Sequence, residues 1–140
     1  MSSRGSQTSE LYYDMSRARR GQCIIFYVER PGHSSCSARK DARRIKTAFH
    51  YLGFKCAVHP NPTTQIIEKT LAEASTCPDN ESSDCFVCLL LTTGRNGDIL
   101  VREHQGITTD VLTKYFVRAS CGSLKDKPKL FFIQVVLVTL

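Results

Sequence analysis

Seven cysteines and four histidines are the residues of this chain best suited to covalent chemistry. A cysteine attacks as the thiolate, and a neighbouring imidazole is the usual group to take its proton near neutral pH. Cys85 and Cys88 have the C-x-x-C spacing that holds zinc or supports redox exchange when it sits in a turn. They fall instead inside the apolar run Cys85 to Leu91, which reads as a strand, where residues three apart point to opposite faces. No metal site is expected there. His33 and Cys36 share a Ser-rich loop without a third residue to orient them. His50 reads as a helix-face residue, His59 as a strand-end residue, and His104 falls in a hairpin region, each without a recognisable partner. Cys121, in a basic loop beside Lys125, is expected to be a reactive redox thiol rather than a nucleophile of hydrolysis.

The elements that must position these groups follow from hydrophobic periodicity. Cys23 to Val28 is a continuous apolar run of strand length. From Asp41 to Leu52, residues Ala42, Ile45, Ala48, Phe49 and Leu52 repeat at helical spacing, and Gly53 fits the residue just past a helix end. Phe54, Cys56 and Val58 alternate with polar or small residues as in a strand near a sheet edge, which Pro60-Asn61-Pro62 ends. Thr63 or Thr64 can cap a helix running through Ala74, with Ile67, Leu71 and Ala74 inward. A polar loop from Ser75 to Asp84 precedes the second apolar strand. Ile99-Leu100-Val101 suggests a small hairpin, Ile107 to Phe116 a third helix, and Leu130 to Val138 a last strand. Strands separated by helices make the fold class α/β: three layers, a mostly parallel sheet flanked by helices on both faces. No Gly-rich phosphate loop follows any strand, and no cofactor is called for.

With 140 residues the chain is long enough for one domain with its own core. Residues 1–20, polar, Ser-rich and basic, read as a flexible tail, and 21–140 as the domain. The start carries no apolar signal segment, so a reducing, cytoplasmic setting is expected, with most cysteines acting as small buried hydrophobes. The longest apolar run, Leu130 to Leu140, is shorter than the roughly 18 residues a membrane helix needs. Charge is lopsided: residues 1–55 hold 11 Lys/Arg against 4 Asp/Glu, and the remainder 8 against 9. Arg17-Ala18-Arg19-Arg20 and Arg39-Lys40-Asp41-Ala42-Arg43-Arg44 carry the surplus, read as a tail and a solvated helix face, so nucleic acid is not the expected partner.

One run is specific. Lys127-Pro128-Lys129-Leu130-Phe131-Phe132-Ile133-Gln134 resembles the K-P-K-L-F-[FI]-I-Q that in caspases leads into Ala-Cys-x-Gly, whose Cys attacks the substrate after an Asp. Further similarity runs from about Tyr13 to Gln134: Tyr13-Asp14-Met15 with Arg20-Gly21, then Gly21 to Phe26, Asp41 to Phe54, and Ser83-Asp84-Cys85-Phe86-Val87-Cys88. Insect effector caspases are the nearest in flavour. The resemblance implies the large-subunit half of the caspase fold. Here, however, Val136 stands at the nucleophile position and Thr93, in Leu89-Leu90-Leu91-Thr92-Thr93-Gly94-Arg95, at the position of the His. Gly94 and Gln134 match the family's oxyanion-hole Gly and a Gln of the Asp pocket. Ser35 aligns without a gap to the family's Asp-binding Arg, and a gap of one or two residues would restore Arg39.

Valine has no lone pair to donate, and a threonine hydroxyl does not titrate near neutral pH. The resemblance therefore implies a pseudo-protease, a caspase homologue without enzymatic activity that binds and modulates active caspases or their regulators in apoptosis. The alternative is a residual cysteine endopeptidase cleaving after Asp. A caspase unit continues into a small subunit, and this chain stops at Leu140. Its last strand, through Leu130, Phe132, Val136 and Val138, is thus expected to receive a protein partner: a caspase small subunit or proenzyme, or an inhibitor-of-apoptosis protein.

Overall fold

The computed structural model describes residues 12–29, 36–95, 98–100, 106–117 and 121–137, with backbone alone at 36, 37, 93–95, 98, 100 and 137. Strand β1 (Arg19–Tyr27) is followed by α1 (Cys36–Tyr51), β2 (Phe54–Pro60) and α2 (Thr64–Ser75). A 3₁₀ turn (Pro78–Ser82) leads into the long β3 (Ser83–Arg95), then β4 (Asp98–Leu100), β5 (Gly106–Ile107), α3 (Thr109–Thr113), two further 3₁₀ turns and β6 (Lys129–Leu137). The main strands lie in the order β2-β1-β3-β6, all parallel, and β4 and β5 extend the sheet antiparallel beyond the end of β1.

Two cores, one on each face, make the three layers. Ile24, Phe26, Phe86, Cys88 and Leu90 pack against Ile67, Leu71 and Ala74 of α2 and against Leu112 and Phe116. Cys23, Ile25, Phe54, Cys85, Val87 and Leu89 pack against Ala42 of α1, with Ala38, Ile45 and Phe49 partly buried beside them. Burial on both faces is why β1 and β3 read as unbroken apolar runs. Thr63 caps α2 as the sequence predicts, its hydroxyl accepting from the Ile66 N–H at 3.2 Å.

Several expected boundaries move. Helix α1 starts at Cys36, before Asp41, and Ala48 and Leu52 face solvent rather than the core. Ile107 belongs to β5, and the third helix is a single turn continued by a 3₁₀ turn (Lys114–Phe116). The tail boundary at residue 20 falls inside β1, and of the described residues around it Arg17, Arg19 and Arg20 are tethered. The Arg17 backbone N–H donates to Asp84 Oδ1 at 2.9 Å, and Arg20 Nη1 donates to Asp84 Oδ2 at 3.3 Å. Arg19 pairs with Asp79 at 3.8 Å. Asp84, 1% exposed, is thus neutralised by two guanidinium groups at the start of β3.

Candidate functional site

The residues implicated by sequence converge where β3 outruns β1. Tyr27 is the last β1 residue paired with β3, opposite Leu91, and β3 continues four residues further. Over that extension its neighbours are β6 on one side and β4 on the other. Thr93 and Val136 are direct register partners there, as are Leu91 and Gln134, and Gly94 and Leu137. Thr93 also partners Leu100 of β4, and Gly94 partners Ile99. The two positions, 43 residues apart in sequence, therefore lie side by side on adjacent strands, about 4.8 Å apart across the ladder. Val136 is 57% exposed and offers only methyl groups. Gln134 is exposed beside it. Ser35 lies outside the described residues; Arg39 sits in the first turns of α1, where its Nε donates to Glu29 Oε1 at 3.0 Å.

The register explains the character of β6. Leu130, Phe132 and Val136 partner Val87, Leu89 and Thr93, which puts them on the sheet face that α1 covers. That cover reaches β3, whose Val87 is fully buried, and stops before β6, where Leu130 and Phe132 are 45% and 49% exposed. Phe131 and Ile133, one residue out of phase, pack into the opposite core, with Phe131 against Phe86 and Phe116. The expected partner surface is therefore an apolar face as well as a strand edge, β3 being the strand that β6 pairs with among the described residues. Val138 lies outside the described residues.

Among the described residues, no other cysteine is paired with a histidine. Cys85 and Cys88 enter opposite cores, as their spacing predicts. Burial pushes the Cys88 thiol up to about 12 and raises those of Cys23, Cys56 and Cys85 above the ordinary range. Cys121, expected to be reactive, is 2% exposed, its Sγ directed at the Ser75 carbonyl at 3.3 Å. The thiol is thus a buried group bordering a cavity rather than an exposed loop residue, which corrects its expected setting. His33 and His104 lie outside the described residues, as does the side chain of Cys36. His50 is exposed on α1, and His59 leans on the Phe26 ring at 5.4 Å. Among the described residues no three His, Cys, Asp or Glu side chains gather as metal ligands.

The opposite end of the sheet holds polar chemistry that sequence reasoning missed. Lys127, 8% exposed, donates from Nζ to the carbonyls of Asn80 at 2.6 Å and Glu81 at 3.2 Å. Asn80 donates to Ala74 O at 2.8 Å and accepts from Gln22 Nε2 at 3.0 Å. Lys129 Nζ donates to the carbonyls of Leu124 and Lys127 at 2.8 and 2.9 Å. The Lys-Pro-Lys run thus fastens the start of β6 to the 3₁₀ turns around it. A cavity of about 350 Å³ lined by Tyr13, Cys121, Lys125, Asp126, Lys127 and Lys129 opens here. It stands roughly 20 Å along β6 from Val136, too far to serve that position. The one signal for this network in the sequence was polar residues flanking apolar strands, which does not separate buried from solvated groups.

A family model described as the caspase domain matches residues 20–136. Human caspase-10 is 35% identical over 126 residues, covering 87% of this chain and 24% of that protein. Drosophila melanogaster caspase-1 is 35% identical over 126 residues, covering 87% of this chain and 38% of its own length. The crystal structure of caspase-1 from Spodoptera frugiperda superimposes with a TM-score of 0.78 at 32% identity, covering 89% of this chain and 50% of that one. The chain thus spans about half of that solved chain and less of the curated relatives. Family match, sheet architecture and superposition agree: this chain belongs to the caspase domain family.

Proposed function

We propose that this chain is a catalytically inactive caspase-domain protein that binds active caspases, or the proteins that restrain them, and thereby modulates proteolysis in apoptosis. The observation that carries the reading is the register pair Thr93–Val136. The two positions that the resemblance assigns to base and nucleophile stand together, and neither residue type supplies the group. A covalent route needs both, and losing one member of such a unit typically removes orders of magnitude of rate.

What remains is a scaffold with an uncovered apolar stripe. Leu130, Phe132 and Val136 suit a protein partner that supplies both a neighbouring strand and apolar cover for that face. The partner proposed is a caspase small subunit or proenzyme, or an inhibitor-of-apoptosis protein. Docking in place of an active large subunit lowers protease output, and docking that stabilises a partner's competent form raises it. A reducing cytoplasmic setting suits six described cysteines that are all free thiols.

The test is co-expression with effector caspases, followed by pulldown and an Asp-peptide cleavage assay. Association is expected, with a change in partner activity that depends on the amount of this chain and is lost in Phe132→Asp. Absence of any association with caspases or their inhibitors overturns the reading. So does hydrolysis of an Asp-ending peptide by the isolated chain that disappears on one Cys→Ala substitution.

A further inference from the structure

The structure separates two groups of basic residues that look alike in the sequence. Arg17, Arg19 and Arg20 are engaged by Asp84 and Asp79. Lys40, Arg43 and Arg44 of α1 have no such ion pair among the described residues. Ala38, Ala42, Ile45 and Phe49 form the inward side of this 16-residue helix. At 100° per residue, Lys40, Arg43, Arg44, Thr47 and Tyr51 then fall on the opposite, solvent-facing arc, and all five are exposed. Arg39 is held by Glu29, whereas no ion pair joins Lys40, Arg43 or Arg44 to a carboxylate among the described residues.

Helix stability does not account for this arrangement. Lys40 and Arg44 are like charges at i,i+4, as are Arg39 and Arg43, and each such pair costs a few tenths of a kcal/mol. Arg39 and Lys40 lie near the helix N-terminus, where the backbone dipole disfavours cations, and the first turn has no acidic residue. A solvated helix face ordinarily interleaves both signs. Here every charged residue named on the outward arc is a cation, and the arc ends in an aromatic ring: Tyr51 is 89% exposed, about 16 Å along the axis from Lys40.

We propose that the outer face of α1 binds single-stranded nucleic acid, with Lys40, Arg43 and Arg44 on successive phosphates and Tyr51 as a stacking platform for a base. Ammonium and guanidinium groups along a rod track a phosphate backbone, and a free aromatic ring stacks on any base. An acidic bilayer is the less fitting partner, because the apolar side of α1 is already spent on the core and is not available to insert. The inference is independent of the β6 stripe and of any protease partner.

The test is fluorescence anisotropy of a labelled 20-nucleotide poly(dT) with the full chain. Three phosphate contacts on a single strand give a log–log salt slope of about −2.1, so affinity falls roughly 20-fold between 50 and 200 mM salt. Lys40→Gln/Arg43→Gln/Arg44→Gln flattens that dependence. Arg44→Gln alone removes about 0.7 of the slope, which keeps the test informative if the triple variant folds poorly. Tyr51→Ala weakens binding roughly ten-fold and leaves the slope unchanged. Arg19→Gln, on the paired group, leaves both unchanged. No binding at 50 mM salt overturns the proposal, as does equal loss in Arg19→Gln. Salt-sensitive capture on phosphatidylserine vesicles without binding to the oligonucleotide overturns it in favour of a membrane surface.

Discussion

Placing a thiol at position 136 and an imidazole at position 93 tests the geometry behind the proposed function without asking for catalysis. In Val136→Cys alone, the introduced thiol sits where the native side chain is 57% exposed, and should titrate near the ordinary 8.5. Adding Thr93→His brings an imidazole to the register partner on the adjacent strand. An imidazolium within about 4–6 Å lowers a thiol pKa by roughly 1–3 units. Taking two units, the thiolate fraction at pH 6 rises from about 0.3% to about 24%, roughly 80-fold. Intrinsic nucleophilicity falls with basicity at a Brønsted slope near 0.45, which returns about 8-fold of that gain. The double variant should therefore be alkylated by iodoacetamide about ten times faster than Val136→Cys at pH 6, and no faster at pH 9. Mass spectrometry of the peptide containing position 136 reads this site alone, and the thiols of Cys23, Cys85 and Cys88, all buried, and of the half-buried Cys56, with raised pKa values, stay silent at low pH. Thr93→Ala/Val136→Cys controls for bulk. Identical pH profiles in the single and double variants would refute the side-by-side placement, and with it the proposed reading of these positions as those of a base and a nucleophile.

Three further outcomes follow from the scaffold. Gly21 has φ +140°, and a Cβ there would overlap the Cys85 carbonyl across the β1–β3 ladder, so Gly21→Ala should yield no soluble folded chain. Gly53→Ala, with φ +94° but its nearest neighbour, Arg20 Cβ, at 3.6 Å, should fold and melt a few degrees lower, costing about 1–2 kcal/mol; equal melting of both variants and the parent would discredit the β1–β3 register. Lys127→Met strips the donor from the Asn80 and Glu81 carbonyls and should lower stability by about 1.5–3 kcal/mol, seen as a drop of roughly 6–12 °C in Tm. Burial lowers the His59 pKa from 6.5, so the unfolded chain takes up the proton first: stability should be level above about pH 6.5 and fall as the pH drops below it. His59→Gln should remove that part of the acid slope in urea titrations at pH 5 to 7.5, and an unchanged slope would mean the ring is solvated.

The legible parts of this chain are those where a pattern has one physical solution. The unbroken apolar run Cys85 to Leu91, of strand length and bounded by a polar loop, fits a strand covered on both faces, and the two cores found there follow. The phase of Cys85 against Cys88 was fixed by strand periodicity alone. The illegible parts depend on what covers a residue, which no local pattern records. Ala48 and Ala42 occupy equivalent-looking positions, yet one is exposed and the other 1% exposed, because the core-facing arc of α1 is narrower than its run of apolar residues. Cys121 sits in a basic loop in sequence and under Ser75 in space. The two arginine clusters are indistinguishable as strings, and only the positions of Asp79 and Asp84 decide which is neutralised.

The Lys-Pro-Lys run joins these two kinds of knowledge. As a string it points to the family; as a structure it anchors the start of β6, with Lys127 and Lys129 both donating into carbonyls of the neighbouring turns. That anchorage fixes the register of β6 against β3 from Phe86–Lys129 onward, and since a one-residue slip would turn every side chain over, it determines what position 136 stands beside. The lysines are therefore structural determinants of the far end of the sheet, whether or not chemistry occurs there. A scaffold whose register is set at one end does not depend on reactive groups at the other, so this motif is by itself no evidence for or against activity, and the proposed function rests on the identities of residues 93 and 136.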